Sequence, residues 1–165
     1  MSGKLSSRLG YITGTLICAA LLAFGYFLQF QQGEEPCPLC IMQRMAFFAA
    51  GAIFLVAALH GPRRTGSRVY AIFILIAVGI GAAIAARQVW LQHLPKDKVP
   101  ACGPGLNFIL ESFPLSKALE MVFKGSGECA AVGWQFLGLS IAGWALIWFV
   151  ILGLLAIAAA AMARK

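Results

Sequence analysis

The feature that most constrains this chain is where its charges are missing. No Asp, Glu, Lys or Arg occurs in residues 9–33, 45–62, 69–86 or 129–163, runs of 25, 18, 18 and 35 residues. An α-helix needs about 20 apolar residues to cross a hydrocarbon core about 30 Å thick. Each run therefore holds one span, and the last has room for a lead-in. The expected spans are Leu9–Gln29, Ile41–Leu59, Val69–Leu91 and Leu139–Ala161. All seven prolines (36, 38, 62, 95, 100, 104 and 114) fall outside them, as the cost of proline in a helix interior requires. Composition agrees. The chain is 61% hydrophobic and 12% charged, against about 45–50% and about 25% in soluble domains. This excludes a water-soluble globule, a disordered chain and a collagen-like fibre. The predicted fold class is an all-α integral membrane protein, a four-helix transmembrane bundle that forms one domain over residues 1–165.

Orientation follows from the basic residues. Lys4 and Arg8 precede the first span, Arg63, Arg64 and Arg68 lie between the second and third, and Arg164 and Lys165 close the chain. These three segments fall on one side of a four-span protein, which makes that side, with both termini, cytoplasmic. All six acidic residues (Glu34, Glu35, Asp97, Glu111, Glu120 and Glu128) fall on the other side. The net charge of +7 thus reads as an orientation signal toward a lipid bilayer, with no nucleic-acid partner implied. The first apolar run is longer than the usual signal-peptide core of about 7–15 residues and lacks an A-x-A site, so it reads as an uncleaved helix.

Two segments face outward, about 30–38 and about 92–138. A long loop in a small membrane protein is usually functional. Within it Pro114, then Leu115, Ala118, Leu119 and Val122, alternate with Ser116, Lys117 and Glu120 on the opposite helical face. Proline suits a first helical turn, and Gly125 and Gly127 can stop one. A short amphipathic helix lying on the membrane surface is expected there.

Five cysteines are present: Cys18, Cys37, Cys40, Cys102 and Cys129. Cys18 sits mid-span and reads as a small apolar filler. The other four lie two in each outer segment, where an oxidising compartment lets them pair. Of three possible pairings, the C-x-x-C spacing favours Cys37 with Cys40, leaving Cys102 with Cys129. Pro36 and Pro38 bracket Cys37, and a helix begins directly after, with Cys40 in its first turn. A helix N-terminus stabilises a thiolate through its unpaired N–H groups and its dipole. Arg44 follows Cys40 by four residues, on the same face one turn deeper. An arginine in an apolar span costs roughly 2.5–3.5 kcal/mol at the bilayer centre and less near its edge. It reads either as a snorkelling side chain or as a cation beside the thiolate and its electron acceptor. Arg87, near the outer end of the third span, is a second candidate for the same pocket, or an interfacial anchor.

Dithiol chemistry needs a thiolate, an accessible partner sulfur and a sink for two electrons. The chain has no dinucleotide-binding glycine fingerprint and no c-type haem box. Its two histidines, His60 and His93, fall on opposite sides of the membrane and cannot share an axial site. A sink reached from within the bilayer must dissolve there, which points to a lipid quinone.

Three segments carry a resemblance. Glu35-Pro36-Cys37-Pro38-Leu39-Cys40-Ile41-Met42-Gln43-Arg44 resembles the E-P-C-x-L-C-I-x-x-R segment of the DsbB family of bacterial disulfide-bond-formation proteins. Gly127-Glu128-Cys129-Ala130, followed by Trp134-Gln135-Phe136-Leu137-Gly138-Leu139-Ser140, is similar to the family's segment after its last cysteine, and Ala101-Cys102 to its third. The resemblance covers nearly the whole chain in order. It implies a multi-pass protein of the bacterial inner membrane that reoxidises a periplasmic DsbA-like, thioredoxin-fold dithiol oxidant. In the implied relay Cys102 forms the mixed disulfide, Cys129 passes electrons to the Cys37–Cys40 pair, and Cys40 faces ubiquinone or menaquinone, with Arg44 on a quinone oxygen as charge develops there. Where some family members carry a histidine after the position matching Arg87, this chain has Gln88.

Two other classes compete. Four outer cysteines can bind a structural zinc ion, although intervals of 2, 61 and 26 residues leave only one close pair, and no metal site is expected. Disulfides that merely brace a membrane scaffold are the other. The long loopless spans also contain no buried acid or broken-helix pair of the kind transporters use.

Overall fold

A computed structural model describes residues 2–33, 36–95, 114, 116–117 and 127–163. All four expected spans are helices: α1 (Ser2–Gln32), α2 (Pro38–His60), α3 (Arg64–Gln92) and α5 (Ile141–Met162). Each is long and apolar enough to cross a membrane. A short helix α4 (Gly127–Ala130) and a hairpin of β1 (Gln135–Phe136) and β2 (Leu139–Ser140) precede α5. The expected surface helix over Pro114–Val122 lies almost wholly outside the described residues. Of it, Pro114, Ser116 and Lys117 are exposed, and the Lys117 N–H donates to the Pro114 carbonyl at 2.9 Å.

The helix ends have local causes. Cys37 caps α2 in extended backbone and Pro38 takes its first helical position, where a missing N–H removes nothing from the helix. At the other end Gly61 adopts φ 57° and ψ 53°, and its N–H donates to the Ala57 carbonyl at 3.0 Å. This left-handed stop is easy for glycine, and Pro62 prevents continuation. Helix α5 begins at Ser140, whose Oγ accepts the Gly143 N–H at 3.2 Å. The same hydroxyl donates to Gln92 Oε1 at 2.7 Å, tying the head of α5 to the foot of α3. In the hairpin, Leu137 and Gly138 both take positive φ (51° and 78°), the pattern of the turn that matches strand twist. Gln135 pairs with Ser140 and Phe136 with Leu139. The run 129–163 was expected to be loop and then helix from Leu139. The hairpin delays the helix by two residues, because Leu139 is used to pair a strand.

The four long helices form an antiparallel ring in which α1 touches α2, α2 touches α3, α3 touches α5 and α5 touches α1. Helices in lipid gain little from hydrophobic burial against one another, so small residues that permit close approach take the contacts. The Phe54 ring lies over Gly14, where an added Cβ would stand 2.6 Å from it, and the Phe149 ring is pressed against Gly81 in the same manner. Phe47 and Phe149 stack across the ring centre, 4.0 Å between centroids. Large apolar residues such as Leu16, Phe48, Leu59, Ile72, Phe73 and Leu154 point outward, as a lipid-facing belt must.

This topology gathers Arg8, Arg63, Arg64 and Arg68 at one end of the bundle. The opposite end carries Cys37, Cys40 and Cys129.

Candidate functional site

The sulfur end is built from three segments distant in sequence. Helix α2 presents Cys37 at its cap and Cys40 in its first turn, with the two Sγ atoms 3.0 Å apart. Helix α4 brings Cys129, fully buried, against Cys37. These two belong to one cluster with Leu39, Ile84 and Leu91. Cys37 is hydrogen-bonded to Cys129 and to Cys40 and is buried, and in that order these causes hold its pKa well above the ordinary thiol value. Cys37 therefore keeps its proton through the neutral range. Cys102 lies outside the described residues.

From α3, Gln88 enters between the sulfurs. Its Nε2 donates to Cys40 Sγ at 3.2 Å and to Cys37 Sγ at 3.4 Å. Gln43 of α2 donates through Nε2 to Gln88 Oε1 at 2.6 Å. The sequence noted Gln88 only as a departure from a family pattern and did not single out Gln43 as a functional residue. The available signal was two amides inside apolar spans, where a polar side chain is costly without a partner.

Cys37, Cys40, Gln43, Arg44 and Gln88 line a cavity of about 670 Å³. Apart from Gln92 and Ser140, its other walls are apolar, among them Leu21, Phe24 and Leu28 from α1, Trp134 and Phe136 around the hairpin, and Trp144 and Trp148 from α5. Trp134 stacks on Phe136 and meets Phe24 edge-on. The Trp144 indole N–H donates to the Phe136 carbonyl at 3.0 Å. Arg44 is the one charged residue among the described lining residues. Its hydrogen bonds run to α1, to Gln29 Oε1 at 2.5 Å and to the Gly25 carbonyl at 3.0 Å, and its guanidinium lies 5.0 Å from the Tyr26 ring centroid. The outer end of the first helix, within its predicted span, supplies that seat. A cation is thus held at the cavity wall by partners that, among the described residues, are neutral.

Arg87, the second candidate for this pocket, is half-buried and lies outside the described cavity lining. Its guanidinium stands 4.2 Å from the Trp90 ring centroid. Neighbouring residues on a helix are about 100° apart, so with Gln88 facing the sulfurs Arg87 projects elsewhere. Cys18 is buried mid-bundle, where Gly51 leaves it room. His60 bonds Tyr70 at one end of the bundle and His93 lies at the C-terminus of α3 at the other. Among the described residues no group of three or more His, Cys, Asp or Glu is arranged to hold a metal ion.

The cavity size suits a small organic ligand. Apolar and aromatic walls, with a cation and amides at one end, fit a flat ring that is apolar on its faces and carries oxygens at its edge.

Comparison with known proteins shows the family. The family model for disulfide bond formation protein DsbB matches residues 7–159. Disulfide bond formation protein B of Nitrosococcus oceani is 53% identical over 154 residues, covering 93% of this chain and 91% of the relative. Its namesake in Azoarcus sp. is 56% identical over 140 residues, 85% and 84% of the two chains. That of Hahella chejuensis is 50% identical over 165 residues, covering 100% and 99%. No solved structure matches the chain. With sulfurs clustered at the head of a membrane helix and a match running nearly end to end, the chain belongs to the DsbB family and has a role in disulfide bond formation.

Proposed function

We propose that this protein is a membrane thiol:quinone oxidoreductase that reoxidises a DsbA-like periplasmic dithiol oxidant and delivers the electrons to ubiquinone or menaquinone. The observation that carries the reading is the placement of three sulfurs and Arg44 together. Cys129 lies against Cys37, Cys37 lies 3.0 Å from Cys40, and Cys40 lines the cavity that Arg44 also lines.

The order of the sulfurs implies the order of exchange. The reduced partner attacks the Cys102–Cys129 disulfide, forming a mixed disulfide at Cys102 and releasing Cys129 as a thiolate. The Cys129 thiolate attacks Cys37 Sγ, which breaks the Cys37–Cys40 bond and leaves the electron pair on Cys40. Attack by one sulfur on another proceeds through such a mixed disulfide. Cys40 is then a thiolate at a helix N-terminus, the setting that stabilises it. A quinone, when bound, supplies the sink for two electrons and two protons. Arg44 and Gln43 are the residues that would hold its oxygen-bearing edge, and the tryptophans and Phe24 its faces. Arg44 offers positive charge where negative charge develops, and largely apolar walls strengthen such an interaction. The basic end of the bundle lies in the cytoplasm under the positive-inside rule, so the sulfur end faces the periplasm across the inner membrane.

Purified protein mixed with ubiquinone and a reduced DsbA-like partner reduces the quinone, followed by absorbance. Cys37→Ser and Cys40→Ser each bring the rate to background. Full activity in either variant refutes the reading.

A further inference from the structure

Two uncharged polar side chains are buried deep in the sulfur end: Gln43, 5% exposed, and Gln88, 4% exposed. A buried amide is costly unless its donors and acceptor are satisfied. Gln43 Nε2 donates to Gln88 Oε1 at 2.6 Å. That bond fixes which way the Gln88 amide points. With its oxygen turned to Gln43, its two N–H groups face two sulfurs, 3.2 Å to Cys40 and 3.4 Å to Cys37. The Cys40 thiol also reaches Gln88 Oε1, at 3.6 Å. Once Cys40 has lost its proton that contact has no donor, and only the N–H groups remain to stabilise the sulfur.

From this geometry we infer that Gln88 is a further catalytic residue, a neutral double donor that favours the electron pair on Cys40, and that Gln43 is the positioning residue that keeps those donors turned toward the sulfurs. The inference rests on the redox role proposed above for Cys37 and Cys40. Reduction of their disulfide takes two electrons and one proton, and yields a Cys37 thiol and a Cys40 thiolate. A disulfide sulfur carries no charge and accepts hydrogen bonds weakly. A thiolate accepts charge-assisted ones, about twice as strong as neutral ones. Gln88 therefore stabilises the reduced pair over the oxidised pair. It makes the pair a stronger oxidant of Cys129 and leaves the electrons on the sulfur at the cavity wall. Gln43 does this only through Gln88, since it donates to the Gln88 oxygen and that bond reaches neither sulfur.

The test is a redox equilibrium of the full-length protein in detergent. Wild type, Gln88→Met and Gln43→Met are equilibrated with reduced and oxidised glutathione, without quinone or partner protein. The Cys37–Cys40 state is read by thiol trapping and peptide mass. Methionine keeps the length and bulk of glutamine and removes the donor. Gln88→Met makes the pair about tenfold harder to reduce, which for a two-electron couple is about 30 mV. Gln43→Met moves the equilibrium about threefold in the same direction, because Gln88 stays but is free to turn. Thermal unfolding checks that each variant is folded. If Gln88→Met does not fold, Gln43→Met carries the test, since it leaves Gln88 in place. An equilibrium within twofold of wild type in the folded variants overturns the inference and leaves the redox reading standing. A wild-type pair that glutathione never reduces overturns the redox reading, and this inference with it.

Discussion

The two ends of the bundle treat polar groups in opposite ways. At the basic end, apart from the exposed His60–Tyr70 and Ser6–Met162 contacts, side chains close onto backbone carbonyls. Arg8 Nε donates to the Ala58 carbonyl at 3.0 Å, Tyr11 to that of Ser67 at 3.4 Å, and Ser67 to that of Pro62 at 3.3 Å. Glycine, alanine and Phe54 fill the space between. At the sulfur end the polar side chains meet one another and a cavity. Gln43 bonds Gln88, Gln88 bonds two sulfurs, and Arg44 reaches across to α1. One end is packed to hold four helices together. The other gives up packing for a space that a ligand can enter, and relies on side-chain bonds for its shape.

This contrast can be broken or sharpened by substitution. The largest effect on stability is expected at the packed end. Phe54 is fully buried against Gly14 and tilted on Tyr11, and Phe54→Ala lowers stability by about 3–5 kcal/mol. Denaturant unfolding in detergent measures it, and a loss under 1 kcal/mol would mean that this end is not close-packed. Next comes Arg44→Met, which keeps the stem and removes the charge. Quinone reduction falls about 10²-fold, the scale for losing a preorganised electrostatic contact. Disulfide exchange with the partner, measured without quinone, is unchanged. Equal losses in both assays would place Arg44 in the sulfur relay and not at the acceptor. The smallest effect belongs to Tyr11→Phe. Its hydrogen bond is long, so melting shifts by no more than about 1 kcal/mol, and quinone reduction stays at the wild-type rate. A change in that rate would show that the two ends are coupled.

Much of the fold was legible because spanning a bilayer is a local demand. Charge-free length marks a helix, and Pro62 falls just past the end of one, without reference to any other part of the chain. The helix boundaries were less legible. Charged residues next to a span continue the helix beyond the hydrocarbon, so α1 runs from Ser2 to Gln32 where Leu9–Gln29 was expected. The hairpin was missed because its turn depends on Leu137 taking a positive φ, which a leucine rarely does. Within the site, Cys37, Cys40 and Arg44 announced themselves through C-x-x-C-x-x-x-R, a motif confined to one helix.

The sequence by itself determined that this is a four-span membrane protein with basic residues at one end and a cysteine pair at the other. It did so because transfer of charge into lipid is costly one residue at a time. Only the tertiary structure decided that Cys129 meets Cys37, that Gln88 stands over both sulfurs of the pair, and that Arg87 lies outside the described cavity lining. Those contacts join residues as many as 92 positions apart (37 to 129). They depend on how each helix is rotated about its axis, and no single segment carries that information.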